Sequence, residues 1–239
     1  MIRRENPIVA SDQVVFLLDV DNTLLENDRV VADLMRHLEK DVGTEQQKRY
    51  WTYFEELRTE LGYADYLGAL QRYRINYPRD FRIFAVSLFL IDYRFANRLY
   101  PNSLDVIEHL KQFGRVVILS DGDVVFQPHK IENSGLLEAV DGDVLIYIHK
   151  EQELEDIKTR FPAAHYVLVD DKVRILAAVK KAWGARVTTV FPKQGHYAAD
   201  AAEVAKYPAP DITIARIGDL LDYDRDRLKN AATTGSART

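Results

Sequence analysis

The stretch VVFLLDVDNTLLENDRV, residues 14–30, decides the reading of this chain. Val14 to Leu18 are five consecutive apolar residues, the pattern of a strand buried on both faces. Asp19 and Asp21 follow where that strand leaves the core, with Asn22 and Thr23 behind them. Residues i and i+2 at a strand end point the same way, so both carboxylates can face one site. Like charges held close raise each other's free energy. Such a pair must hold a cation, share a proton or splay into water. Aspartate is also common in turns and caps, so the D-x-D alone leaves a plain turn open. An EF-hand loop opens with the same spacing but does not fit. Its glycine position is Leu24 and its closing glutamate position is Val30.

The rest of the chain sets bounds on that site. It has 239 residues, 47% of them apolar, enough for one large domain or a core with an inserted subdomain. A net charge of -5 argues against a nucleic-acid partner. The chain contains no cysteine, which excludes disulfides and thiolate metal sites. No apolar run approaches the roughly 20 residues of a membrane span. MIRRENPIVASDQ lacks the apolar stretch of a signal peptide. A cytoplasmic protein without membrane or nucleic-acid partners is the expectation.

Beyond the first strand the spacing turns helical. Val30, Val31, Leu34, Met35, Leu38 and Val42 share a face, and Gly43 stops the helix. Thr44 and Gln47 read as a capping box for the next helix, which carries Tyr50, Phe54, Leu57 and Leu61 and ends at Gly62. A shorter piece runs to about Arg74, and Phe81, Phe84, Leu88, Ile91 and Phe95 form a further stripe. After Pro101 the texture changes. Ser103 caps a helix that ends at Gly114, and then short apolar strands alternate with helices: RVVILSDGD, VLIYIHK, HYVLVDD, RVTTVF and DITIA. Alternating strands and helices imply a three-layer, doubly wound, Rossmann-like parallel sheet. Its ligands bind outside the carboxyl ends of the strands. Residues 1–25 and 99–229 are expected to form this α/β core, 26–98 an all-helical insertion, and 230–239 a disordered polar tail.

Every polar cluster sits at such a strand end. Asp170 and Asp171 follow YVLV, Ser120 follows VVIL with Asp121 and Gly122 behind it, and Lys150 follows VLIYIH. Each has an ordinary reading: helix cap, turn serine, solvated lysine. Together they can hold a hard cation through carboxylate oxygens and a phosphate through a hydroxyl, loop amides and a lysine. The arginines and tyrosines of the insertion, Arg72, Tyr73, Arg74, Arg79 and Arg82 among them, read as a solvated helix surface with the tyrosines packing partly inward. His196 reads as a loop residue.

The order D-x-D, Ser, Lys, DD on these strands resembles the haloacid dehalogenase superfamily of phosphotransferases, over about residues 14–223. The resemblance implies Asp19 as a nucleophile forming an aspartyl-phosphate and Asp21 as general acid and base. It implies Thr23 as support for the loop, beside Ser120, Asp121, Gly122 and Lys150 around the phosphate. Mg2+ would be held by Asp19, Asp170, Asp171 and the Asp21 main-chain carbonyl. Residues 26–98 resemble the family's cap. The dehalogenases of the superfamily lack the second aspartate, so Asp21 favours phosphate chemistry. Three positions depart from the pattern: Asn22 and Val169 replace common glycines, and Asp121 adds negative charge by the phosphate site. The expected activity is Mg2+-dependent hydrolysis of a phosphoric monoester on a small phosphorylated metabolite. A phosphomutase, or a non-catalytic phospho-receiver or binding protein, is the alternative. In a receiver the acid pair lies on the first strand, not a late one. A glycosyltransferase D-x-D would need a nucleotide-binding region upstream, and only 18 residues precede Asp19.

Overall fold

The computed structural model describes residues 13–234. Six parallel strands form one sheet: β1 Val14–Leu18, β2 Arg115–Asp121, β3 Val144–Tyr147, β4 His165–Val169, β5 Val187–Pro192 and β6 Ile212–Ile214. Their order is β3-β2-β1-β4-β5-β6. Leu18 is in register with Ile118 on one side and Val169 on the other. β1 is therefore central, and the winding reverses beside it, where an open α/β sheet leaves its crevice.

Alternation along β1 shows why its run is wholly apolar. Val14, Phe16 and Leu18 pack into one apolar cluster, and Val15 and Leu17 into a second on the other face. After β1 come α1 Asn27–His37, extended by a π-helical turn Leu38–Val42, then α2 Thr44–Leu61, α3 Tyr66–Asn76 and α4 Ile83–Asp92. Between the later strands lie α5 Ser103–Lys111, α6 Phe126–Asn133, α7 Leu136–Ala139, α8 Leu154–Arg160 and α9 Val173–Trp183. The short α10 Gly195–Ala199 and α11 Ala201–Val204 precede β6, and α12 Arg225–Thr234 follows it. Ile157 of α8 and Ile175, Leu176 and Val179 of α9 cover one face of the sheet. Val106 and Ile107 of α5, Ile131 of α6 and Leu228 of α12 cover the other. The three-layer parallel architecture is thus as expected. At the start of β2, a side chain on Gly114 would meet the Val14 carbonyl oxygen at 2.2 Å, so only glycine allows that approach.

The helical stretch leaves the core and returns through adjacent strands of chain. Leu25 bridges Leu99. The Glu26 N–H donates to Arg98 O (2.7 Å) and the Tyr100 N–H to Leu24 O (2.9 Å). Its interior, including Leu34, Tyr50, Phe54, Tyr73 and Leu90, is continuous with the core through Phe95 and Phe126, whose rings lie 5.7 Å apart.

Local chemistry departs from the sequence reading at four places. No capping box forms at α2. Gly43 is its N-cap, and the Gln47 side chain instead donates to Met35 O (3.2 Å). The Ser103 hydroxyl does not cap α5 but donates to Leu24 O (2.8 Å), fastening that helix to the loop after β1. Of the expected stripe, Phe81 just before α4 and Phe84, Leu88 and Ile91 on it face solvent, with Leu88 60% exposed; only Phe95 is buried, and the helix itself buries Ile83, Val86 and Leu90. IFAVSLFLI is apolar all round, so its spacing does not choose a face. Finally, the tail expected to be disordered from 230 is helical to Thr234, because Leu228 and Ala232 are buried. Residues 235–239, and 1–12 of the expected core, lie outside the described residues. Among the described residues no helix is long and apolar enough to cross a membrane.

Candidate active site

The ladder carries the acids to the same end of the sheet. The Asp19 N–H donates to Val169 O (3.0 Å) and the Asp170 N–H to Val190 O (3.2 Å), so each carboxylate leaves its strand at the same level. Asp19, Asp170 and Asp171 are buried, and ligand oxygens of all three lie within 4.8 Å of one another. Lys150, 1% exposed, sits among them. Its Nζ is 2.5 Å from Asp19 Oδ1 and 2.7 Å from Asp170 Oδ2, and it donates to Leu119 O at 3.2 Å.

Even with the Lys172 ammonium acting on the same cluster, the cations do not balance three buried carboxylates. Burial, with Asp19 and Asp170 nearby, pushes the Asp171 carboxyl well above its ordinary range. Burial and the Asp19 charge push Asp170 up to about 6, although Lys150 opposes this. Burial works against the charged form of Lys150 as well, yet Asp170, Asp19 and Asp121 hold its titration above the usual lysine value. Both Asp171 carboxylate oxygens are buried without a hydrogen-bond partner. Two orphaned oxygens beside two further carboxylates form a hard, anionic donor set, and this fits a divalent cation such as Mg2+.

Thr23 ties the loop after β1 to the acids. Its hydroxyl donates to Asp19 Oδ2 (3.3 Å) and accepts the Asp171 N–H (3.1 Å), so it orients the acids. The Gly122 N–H donates to Tyr147 O (3.0 Å). Glycine is needed there because a side chain would meet Cβ of Gln127 at 2.7 Å. Gln127 in turn donates to the buried Ser120 hydroxyl (2.9 Å), which itself donates to Asp121 O (3.3 Å). The Asp121 carboxylate accepts the Lys150 N–H (2.8 Å), tying the end of β2 to the segment after β3. Burial raises its titration, with Lys150 opposing.

Asp21 is set apart from these groups. Its side chain is 28% exposed, and both oxygens are held by Lys130 Nζ, at 2.7 and 2.9 Å. The three-acid cluster does not include its carboxylate, so any part it takes in metal binding falls to its main chain. A cavity of about 240 Å³ opens in front of it, lined also by Asp121, Gly122, Lys130, Lys172, Tyr63 and Tyr66. Asp19, Ser120 and Lys150 are buried and do not line it, whereas their neighbours Asp121 and Gln127 do. Asn22 explains its own departure from glycine. It holds φ +59°, which asparagine tolerates, and its amide pairs with the Asp28 side chain and backbone N–H at the start of α1. Asp28 also binds the His196 ring (2.6 Å), so the expected loop histidine joins the core to the insertion. The arginines of the insertion stay on its surface, as with Arg72 on Glu60 and Arg82 on Asp80.

Sequence reading missed Lys130, Gln127, Lys172 and Gln194. The last donates to Thr23 O (3.0 Å) and so buttresses the loop after β1. Lys130 lies on a helix next to Ile131, and only its full burial distinguishes it from a surface lysine. The cleft tyrosines Tyr63, Tyr66, Tyr197 and Tyr207 carry no motif and come from segments far apart in the chain.

A family model described as haloacid dehalogenase-like hydrolase matches residues 14–183. Among solved structures, a haloacid dehalogenase-like hydrolase from Burkholderia xenovorans LB400 is 61% identical, with 89% of this chain and 99% of that chain covered and a TM-score of 0.86. The HAD-hydrolase YfnB from Bacillus subtilis, bound to magnesium, is 16% identical, covering 88% and 97% at a TM-score of 0.59. L-2-haloacid dehalogenase from Xanthobacter autotrophicus is 17% identical over 88% and 97%, at a TM-score of 0.58. The last two share the fold. None of the curated proteins compared with the chain matches it. With the D-x-D, serine, lysine and paired acids gathered at one end of the sheet, this chain belongs to the haloacid dehalogenase-like hydrolases.

Proposed function

We propose that this hydrolase cleaves phosphoric monoesters of small metabolites through an aspartyl-phosphate on Asp19. The observation that carries this reading is the unequal setting of the two motif acids. Asp19 is buried against Lys150 and Thr23 within the acid cluster, whereas Asp21 faces the cavity. Two carboxylates in different surroundings suit two different roles.

Asp19 Oδ attacks phosphorus, and the bond to the leaving oxygen breaks as Asp21, which enters this step in its protonated form, gives that oxygen its proton. Water then attacks phosphorus as Asp21 takes its proton, releasing phosphate and restoring the Asp19 carboxylate. Lys150 limits repulsion between the nucleophile and the phosphoryl oxygens. The Ser120 hydroxyl turns from Asp121 O to a phosphoryl oxygen. Asp19, Asp170, Asp171 and the Asp21 main-chain carbonyl would hold Mg2+, which supplies charge stabilisation when bound. Residues 26–98 act as the cap, and Tyr63 and Tyr66 bring their side of the cavity to the substrate.

The test is a panel of phosphorylated metabolites and 2-haloacids, assayed with Mg2+ and with chelator for released phosphate or halide. Asp19→Asn and Asp21→Asn follow by rapid quench with labelled substrate. Metal-dependent phosphate release is expected, with label accumulating on Asp21→Asn and absent from Asp19→Asn. Halide release without phosphate release would sink the reading. Isomerised product without free phosphate would make the enzyme a mutase.

A further inference from the structure

Lys130 is a fully buried lysine that the reaction as written does not use. It lies on α6, 1% exposed, between the apolar residues Phe126 and Ile131. An ammonium carries three protons, and here all three have an acceptor. Two go to Asp21 Oδ1 and Oδ2, and the third to Asn27 Oδ1 at 3.1 Å. Burying a charge costs several kcal/mol before its partner compensates, and a well-packed apolar residue is often at least as stabilising. Stability alone therefore gives no reason for a lysine at this position. Its partner supplies one, because Asp21 is the cleft carboxylate given the acid–base role.

We propose that Lys130 is a positioning residue for Asp21. The inference rests on the acid–base role given to Asp21 above. A carboxylate on a loop can rotate about its side-chain bonds, and proton transfer needs it within hydrogen-bond reach of the leaving oxygen. Gripping both oxygens from the α6 side fixes the carboxylate plane and leaves the remaining lone pairs toward the cavity. Asn27 adds a second consequence. It is the first residue of α1, at the start of the insertion. The grip on Asp21 is thus completed by the first helix of the insertion, and the acid–base group is fully placed only when that helix is docked.

The experiment measures kcat and KM for a series of aryl and alkyl phosphates whose leaving groups differ in basicity, with Mg2+ present. Wild type is compared with Lys130→Met, Lys130→Arg, Asn27→Ala, Asp21→Asn and the Asp21→Asn/Lys130→Met double variant. A misplaced acid hurts most where the leaving oxygen needs a proton. Lys130→Met should lose about 3-fold or less in kcat with a nitrophenyl ester and about 100-fold with an alkyl ester, with KM little changed. Lys130→Arg should recover part of that loss. Asn27→Ala keeps the ion pair and should show the same pattern at smaller size, which preserves the test if Lys130→Met does not fold. In the Asp21→Asn background the lysine change should add no further leaving-group dependence. Equal losses across the series in Lys130→Met and Asn27→Ala would reduce Lys130 to a structural ion pair and overturn the proposal. A flat response in Asp21→Asn itself would instead overturn the acid–base reading beneath it.

Discussion

Lys150 Nζ lies 2.5 Å from Asp19 Oδ1, and both groups are withdrawn from solvent. The same ammonium is 2.7 Å from Asp170, so a single cation serves two of three clustered acids. Removing one partner from a buried ion pair leaves an uncompensated charge, at about 3–5 kcal/mol. Lys150→Met should therefore lose folding stability on that scale as well as activity. Mg2+ should return part of the stability, since a dication can replace the missing positive charge. Chemical denaturation with Mg2+ and with chelator checks this. A Lys150→Met variant as stable as wild type in chelator would contradict the charge balance described here.

Thr23 spends its hydroxyl on Asp19 and on the Asp171 N–H. Thr23→Val preserves shape and removes both contacts. The two acids should lose their mutual orientation, weakening Mg2+ by about 10–100-fold, as outer partners of metal ligands commonly do. Calorimetric titration with Mg2+ reads the affinity directly. Unchanged affinity with impaired turnover would place Thr23 at the phosphate instead.

The two faces of α4 should respond in opposite ways to substitution. Leu90 is buried and Leu88 is 60% exposed, two residues away. Leu90→Ala should cost about 2–5 kcal/mol, whereas Leu88→Ser should stay within about 0.5 kcal/mol. Urea midpoints of the two variants decide it, and a reversed order would mean that the helix presents its other face to the core.

His165 gives the fold a dependence on pH. Burial, with Lys229 and Lys180 nearby, pushes this histidine from 6.5 down to about 4, and its ring bonds the Thr188 hydroxyl (2.9 Å). Between those values the unfolded chain binds the proton and the folded chain does not. The stability contributed by neutral His165 is present above pH 6.5 and is lost as pH falls toward 4. His165→Gln should therefore lose less stability than wild type between pH 7 and pH 5. Denaturation midpoints at the two pH values measure it, and identical slopes would show that His165 does not titrate in that window.

What the sequence determined by itself is local in character. Apolar runs of four to six residues ending in Asp19, Ser120, Lys150 and Asp170 specified buried parallel strands. A parallel sheet must then bring those ends to one edge. The helical stretch 26–98 was legible because a 3.6-residue period persists with no strand-like run. What only tertiary structure decided was which neighbour each group meets. Lys130 and Lys48 are the same residue on amphipathic helices, and packing alone buries the first against Asp21. The apolar helix α4 had no polar face to orient it, so its contacts with the rest of the insertion chose one. For Thr23 and Gly122 the motif specified the cluster but not the partners. A motif names a side chain and an amide, whereas the acceptors they reach, Asp19 and Tyr147, are set by how the loops close over the strand ends.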